Sequence, residues 1–238
     1  MALENKYKIV NFDKEVLREY DIRGIVDKDI TENTAYTIGR VFGHTVASKL
    51  KSNNIAIGYD GRLTSPKLYH ALSYGLKDSG SKVFNIGMCP TPMLYFADYF
   101  LKTDAAIMIT GSHNPSEYNG FKMVLNKHSF YSDNIQDFQT LVSNNNLKKG
   151  DGEIVDIDIL NNYAERVINN ISLNKKMKIS WDIGNGAMGV VIDKVISKLK
   201  NTENIILNKE VDGNFPNHHP DPTVPENMVQ LINSVKEN

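Results

Sequence analysis

The sequence predicts an α/β protein: a mixed, mostly parallel sheet sandwiched by helices, repeated in a second, C-terminally truncated domain. Three observations carry this. Short apolar runs alternate with helical patterns from Thr31 onward. Tight turns rich in Gly, Asp and Asn follow the apolar runs at Asp60-Gly61, Thr110-Gly111 and Asp182-Ile183-Gly184. The interval from Asp60 to Val83 recurs between Asp182 and Ile205, an echo that suggests an internal repeat but that any two αβ units can share by chance.

The elements follow in order. Ile38, Val41, Phe42 and Val46 share one helical face, with Thr31 as its cap. Residues 55–58 form a short apolar strand ending at Tyr59-Asp60-Gly61-Arg62. Ser65 is expected to cap the next helix, with Pro66 in its first turn and Leu68, Ala71, Leu72, Gly75 and Leu76 as the buried stripe. Residues 83–86 read as strand, 93–101 as a strongly apolar helix, and 105–109 as a third strand. Residues 121–125 add a strand, and Ile135, Phe138, Leu141 and Val142 mark another helix.

The polar stretch 143–152 is the boundary region, giving expected domains 1–155 and 156–238. Beyond it, Leu160, Tyr163, Ala164, Val167, Ile168 and Ile171 keep helical spacing. A strand at 177–181, a helix on Ile192, Val195, Ile196 and Leu199, and a strand at 205–207 follow. Residues 225–235, with Met228, Leu231, Ile232 and Val235 on one face, form the last helix. No third strand follows it, so the second domain is expected to expose a sheet edge and apolar surface, giving low solubility or association.

Composition excludes several classes. The chain has 238 residues, 41% hydrophobic and 23% charged, an ordinary globular balance. Its 27 Lys plus Arg against 28 Asp plus Glu give a net charge of −1, which argues against nucleic acid as a partner. The lysines at 148–149 and 175–178 are short clusters of solvated surface. Cys89 is the only cysteine, so an intrachain disulfide and a thiolate metal cluster are excluded. The first twenty residues lack a signal-like apolar stretch, and no run reaches membrane-spanning length. The expected location is the cytoplasm, with no membrane partner.

The loop Thr110-Gly111-Ser112-His113-Asn114-Pro115 follows the third strand, at the carboxyl rim where open α/β sheets present ligands. Gly111 is expected to let the backbone turn sharply and to leave room beside the Ser112 hydroxyl, and Pro115 to fix the loop exit. Read from residues alone, two roles stay open. Ser112 is a nucleophile able to hold a phosphoryl group with His113 assisting a proton transfer, or the loop is a turn whose Ser and Asn satisfy nearby backbone.

Five segments occur in order: Tyr20-Asp21-Ile22-Arg23-Gly24, Gly58-Tyr59-Asp60-Gly61-Arg62, the Ser112 loop, Asn119-Gly120-Phe121-Lys122, and Val211-Asp212-Gly213-Asn214-Phe215-Pro216-Asn217-His218-His219-Pro220-Asp221-Pro222. Together they resemble the signatures of the α-D-phosphohexomutase superfamily, in its phosphomannomutase/phosphoglucomutase branch. The resemblance covers the N-terminal half of such an enzyme. It implies that Ser112 becomes phosphorylated and ligates Mg²⁺ through its phosphate. It further implies that Ser112 transfers the phosphoryl group between the C1 and C6 oxygens of a hexose phosphate through a bisphosphate sugar, with a hexose bisphosphate as activator. Arg23 and Lys122 would supply positive charge at the transferring group, Lys122 also helping a proton transfer. Tyr20 is either a lining of the sugar entrance or an aromatic packed at a domain edge.

Asp60 and Arg62 read as a local cap or ion pair shaping the first βα turn, and Asp182, Gly184 and Gly186 as a tight turn. His218 and His219 read as loop packing rather than metal ligands. The resemblance places the Mg²⁺ carboxylates on an Asp-Gly-Asp-Gly-Asp-Arg loop that does not occur here; Asp156 and Asp158 are the nearest to such a pattern. The third and fourth domains of such enzymes are likewise missing from this sequence. Three functions therefore stand side by side: a hexose phosphomutase working with a separate chain that carries the missing parts, a non-catalytic remnant or phosphosugar-binding half, and a phosphoglucosamine mutase.

Overall fold

Apolar residues on both faces of the central strands demand helices above and below the sheet. The computed structural model, which describes residues 6–238, meets that demand with three layers. Along the chain come β1 (Ile22–Ile25), α1 (Glu32–Lys49), β2 (Asn54–Tyr59), α2 (Ser65–Lys77), β3 (Lys82–Met88), α3 (Thr91–Phe100) and β4 (Ala105–Ile109). Then come β5 (Tyr118–Leu125), β6 (His128–Phe130), α4 (Asp133–Ser143) and β7 (Glu153–Asp156).

The sheet order is β1-β5-β4-β2-β3-β7, with β6 paired to β5. Strands β4, β2, β3 and β7 run parallel, while β5 turns back antiparallel to β4 and to β1. Alternation along β2 and β4 sends Ile55, Ile57, Ala105, Ile107 and Ile109 into one core with helices α1, α2 and α4. It sends Ala56, Ala106 and Met108 into another core with α3. The polar stretch before β7 thus leads to a strand that joins the first sheet beside β3.

Helix α1 starts on a capping box in which the Thr31 and Thr34 side chains each accept from the other's backbone amide. Ser65 is not the cap of α2; it is the first residue of that helix after Thr64, and its hydroxyl donates to Asp60 Oδ1 at 2.7 Å. Helices α1 and α2 cross backbone to backbone. A Cβ on Gly39 would come 2.5 Å from Leu72 O, and one on Gly75 would strike Tyr36 O.

The second unit holds α5 (Leu160–Ile168), β8 (Met177–Asp182), α6 (Ile192–Ile196), β9 (Thr202–Leu207) and α7 (Val229–Glu237). Strands β8 and β9 pair in parallel as β2 and β3 do, and in both units the aspartate after the first strand accepts from the amide two residues on. The expected repeat is therefore present as a repeated αβ unit. Its helices are shorter than the apolar spacing suggests. Helix α5 ends before Ile171, which is 49% exposed. The last helix divides into a 3₁₀ turn, Pro225–Met228, and α7. Its expected stripe is only partly covered, since Ile232 and Val235 stay exposed beside a sheet of two strands. Among the described residues no helix is long and apolar enough to cross a membrane.

The α1–α2 crossing yields the first prediction. Gly75→Ala forces the helices apart and is expected to destabilise the chain by about 1–3 kcal/mol. A lowered urea midpoint with unchanged slope checks it; an unchanged midpoint refutes it.

Candidate active site

The loop after β4 is built around a buried arginine. Arg62 is 2% exposed and follows β2 by one turn. Its guanidinium donates through Nη1 to Pro115 O (2.6 Å) and Tyr118 O (3.0 Å), and through Nη2 to Ser112 O (3.0 Å) and Asn114 O (2.6 Å). Its Nε faces Asp60 Oδ2 at 3.3 Å. Asp60 in turn accepts from the amides of Arg62 and Gly111 and from the Ser65 hydroxyl. Burial pulls the Arg62 guanidinium below its ordinary pKa, against which Asp60 acts to raise it.

Two expectations about this loop need correcting. Gly111 is not the residue in left-handed backbone; Ser112 is, at φ 54°. The room Gly111 leaves is taken by Arg62, because a Cβ there would fall inside its guanidinium. Asp60 and Arg62 are not merely a local cap, since their partners lie some fifty residues along the chain. The sequence did hold a sign of this role: a glycine beside Ser112 that is not in left-handed backbone points to a steric neighbour.

Ser112 and His113 line a cleft of about 380 Å³ between the β4 loop and the second unit. The opposite wall brings Asp182, Gly184, Phe215, His218 and Asp221. His218 Nε2 meets Asp182 Oδ2 at 3.0 Å and its Nδ1 meets His219 O at 2.9 Å. The Thr223 hydroxyl and amide, helped by the charges of His113 and His219, hold the Asp221 carboxyl below its ordinary pKa. Cys89, fully buried, lies under the cleft.

Arg23 and Lys122 are placed by strand register. Lys122 pairs with Met108 and Arg23 with Gly120, so both cations share the sheet face of Met108, which lines the same cleft. A Cβ on Gly120 would press on Ile22 O and lie 3.3 Å from both Arg23 Cα and Thr110 O, so a glycine there lets the strands close up at the rim. Both cations converge on one buried carboxylate oxygen: Asp21 Oδ2 lies 2.5 Å from Arg23 Nη2 and 2.8 Å from Lys122 Nζ. Their hydrogen bonds run to Asp21 and not to Ser112. Tyr20 is 69% exposed, stacks near Tyr131, and lines a neighbouring hollow with Lys122 and Tyr95.

A serine in strained backbone at a parallel sheet's carboxyl rim, with two cations on the adjoining face, is an arrangement suited to phosphoryl chemistry. The profile of phosphoglucomutase/phosphomannomutase, alpha/beta/alpha domain I, matches residues 14–146, and that of alpha/beta/alpha domain II matches residues 161–238. The chain belongs to the phosphoglucomutase/phosphomannomutase family. It is 44% identical to a phosphomannomutase/phosphoglucomutase of Pseudomonas putida over 93% of this chain and 48% of that protein. It is 42% identical to a phosphoglucomutase of Neisseria gonorrhoeae, covering 94% of this chain and 48% of the relative. A crystal structure of a phosphoglucomutase/phosphomannomutase family protein from Burkholderia thailandensis superposes with a TM-score of 0.89 at 37% identity, covering 95% of this chain and 51% of that one. The chain therefore spans about half the length of the phosphomannomutase/phosphoglucomutase relatives it matches.

Phosphohexomutases are generally Mg²⁺-dependent enzymes. Among the described residues, no three His, Cys, Asp or Glu side chains converge where they could hold a metal ion. The residues present do not fit a Mg²⁺ centre, which wants several fixed oxygens, so no step below runs through the metal.

Burial pushes the Cys89 thiol from its ordinary 9.0 up to about 12. Cys89 is therefore expected to resist a thiol reagent at pH 8 until denaturant is added. The sign for stability follows: the raised pKa costs nothing below pH 9, and stability falls from there toward pH 12 as only the unfolded chain ionises. Rapid labelling of the native chain at pH 8 would contradict both.

Proposed function

We propose that this chain forms the phosphoserine half of a hexose phosphomutase site, with Ser112 as the residue that accepts and returns the phosphoryl group. The single observation that carries this reading is the placement of Ser112 at the cleft with Arg23 and Lys122 on the adjoining sheet face. In the charging step Ser112 Oγ attacks phosphorus of a hexose bisphosphate. The P–O bond to the sugar breaks, the Oγ proton leaves through a neighbouring base, and the sugar oxygen takes up a proton. In the reverse direction the free hydroxyl of a hexose monophosphate attacks the phosphoserine, regenerating Ser112 and the bisphosphate. Moving either end of the bisphosphate onto Ser112 exchanges C1 and C6 phosphates.

His113, beside Ser112 and exposed at the cleft, is the nearest candidate base. Lys122 is the candidate acid and base at the sugar oxygen. Arg23 and Lys122 would oppose the charge of the transferring group, since a dianion approaching another phosphorylated molecule needs fixed cations. Such a group would have to draw them from Asp21. Tyr20, with Tyr95 and Tyr131 around it, would line the way in for the sugar. The division at residues 155 and 156 belongs to the same proposal; β7 on the first sheet supports a boundary in this region but carries Asp156 with the first unit.

A second reading is favoured by the lack of a converging carboxylate set among the described residues. On that reading the chain binds and orients phosphosugar, and full turnover needs a further polypeptide that supplies the metal site. The phosphoserine reading is the stronger, because it accounts for Ser112 in particular.

One experiment separates them. Incubation with a hexose 1,6-bisphosphate and Mg²⁺ is expected to add one phosphoryl group to Ser112, read by intact mass and peptide mapping. Ser112→Ala is expected to abolish it, and Arg23→Ala or Lys122→Ala to slow it by about 10²-fold or more. Phosphosugar binding with no phosphoryl transfer, even with the missing half supplied, leaves only the binding reading.

A further inference from the structure

The four carbonyls gathered by Arg62 belong to Ser112, Asn114, Pro115 and Tyr118, so one side chain fixes the whole course of the reactive loop. The loop is tied at its two ends, where Gly111 N donates to Asp60 Oδ2 and Glu117 O accepts from Val26 N. Between those ends its backbone bond from Asn114 N to Gly111 O closes a small turn within the loop, and the Arg62 guanidinium is what reaches the Ser112 and Asn114 carbonyls. Left-handed backbone at a non-glycine residue such as Ser112 is strained and persists only where surroundings over-determine it. The guanidinium supplies that constraint. Its contact to Ser112 O fixes the peptide next to the hydroxyl, and its contact to Asn114 O fixes the far side of His113.

The second unit closes the back of the same guanidinium. The Phe215 ring lies 5.3 Å from Arg62 Cζ, within range of a cation–π contact. Gly213 lets its segment lie flat against residues 61–63, where a Cβ would come 2.6 Å from Leu63 N. Arg62 is thus covered by Phe215, backed by Asp60, and filled on its working side by loop carbonyls.

We propose that Arg62 is the positioning residue of the phosphoryl-transfer site, holding Ser112 in its reactive conformation through backbone carbonyls and tying it to the second unit through Phe215. This rests on the assignment of Ser112 above. Arg62 acts through the loop: it sets where Oγ stands, and it touches neither the proposed substrate nor the transferring group. A lysine cannot replace it. An ammonium is a point donor without the planar fork that reaches four oxygens on two sides.

The test uses the full chain and two variants. Arg62→Lys keeps the charge and loses the fork. Gly111→Ala keeps Arg62 but drives a methyl into its guanidinium. Each is expected to speed hydrogen exchange at the Ser112, Asn114 and Tyr118 amides by about tenfold or more, while exchange in β2 and β4 stays unchanged. With hexose 1,6-bisphosphate and Mg²⁺, the maximal rate of Ser112 phosphorylation is expected to fall by about 10²-fold, the half-saturating concentration staying within about twofold. Loop exchange as slow as in the parent chain, in either folded variant, overturns the proposal, as does a rise in half-saturating concentration with the maximal rate kept. If the parent chain takes up no phosphoryl group even with the other half of such an enzyme supplied, the assignment of Ser112 fails, and the exchange rates alone decide whether Arg62 holds the loop.

Discussion

A buried cation needs its charge answered on every side, and that need shapes the rim of this sheet. Arg62 is withdrawn almost completely from water, and removing one partner of such a group costs about 3–5 kcal/mol. One carboxylate, four carbonyls and one aromatic face answer it here. Those partners come from the turn after β2, from the loop after β4 and the first residue of β5, and from the second unit. Three sequence-distant segments are thereby held at one point. The glycine before Ser112, the left-handed Ser112 and the close approach of Gly213 are consequences of fitting around that guanidinium.

The neighbouring cations obey a different logic. Arg23 and Lys122 are partly exposed and share one oxygen of Asp21, which is itself buried. One carboxylate oxygen between two cations leaves a net positive charge on that patch of the sheet, with donors to spare on both side chains. This suits the proposed phosphoryl-transfer site: the cations are held in place, yet incompletely satisfied. Arg62, by contrast, spends both Nη groups on backbone carbonyls, and its buried Nε faces only Asp60. Of the arginines and lysines in the signature segments, one holds the loop and two are left partly exposed, available to a phosphate on the proposed reading.

The four central strands and the helices of the first unit were legible because both cores are written as period-2 and period-3.6 patterns; the three- and four-residue strands β1, β6 and β7 were too short to show one. Helix α1 with its Thr31 cap and helix α2 with its Leu68–Leu72–Leu76 stripe stand as the pattern requires. The site was legible as segments, through Ser112, Arg23 and Lys122, but not as an object. What joins Arg62 to Pro115 and Tyr118 is a set of backbone carbonyls, and carbonyls leave no trace in a sequence. Ser65 misled for a related reason: a serine before Pro66 has the composition of a cap, yet its hydroxyl oxygen accepts from Asn119 Nδ2 and donates to Asp60 Oδ1. The stripe of α7 misled because spacing reports which residues could be buried together and is silent on whether a sheet wide enough to cover them is there.

That narrowness raises the question of how a two-stranded sheet can form a stable wall of the cleft, since an isolated pair of strands is marginal in water. The core beneath α3 supplies the answer. Ile159, Tyr163 and Ala164 of the α5 segment and Val191 and Val195 at α6 are buried in one cluster with Ala56, Cys89, Met93, Leu94 and Met108 of the first unit. The second unit therefore leans on the first sheet through its own helices. The same contact fixes the cleft, because Met108 and Cys89 form its floor while Ala187 and Gly186, just ahead of α6, form its wall. A change that loosened α5 or α6 from this core would widen the cleft and lift Phe215 from Arg62 together, so the stability of the second unit and the posture of Ser112 are one property.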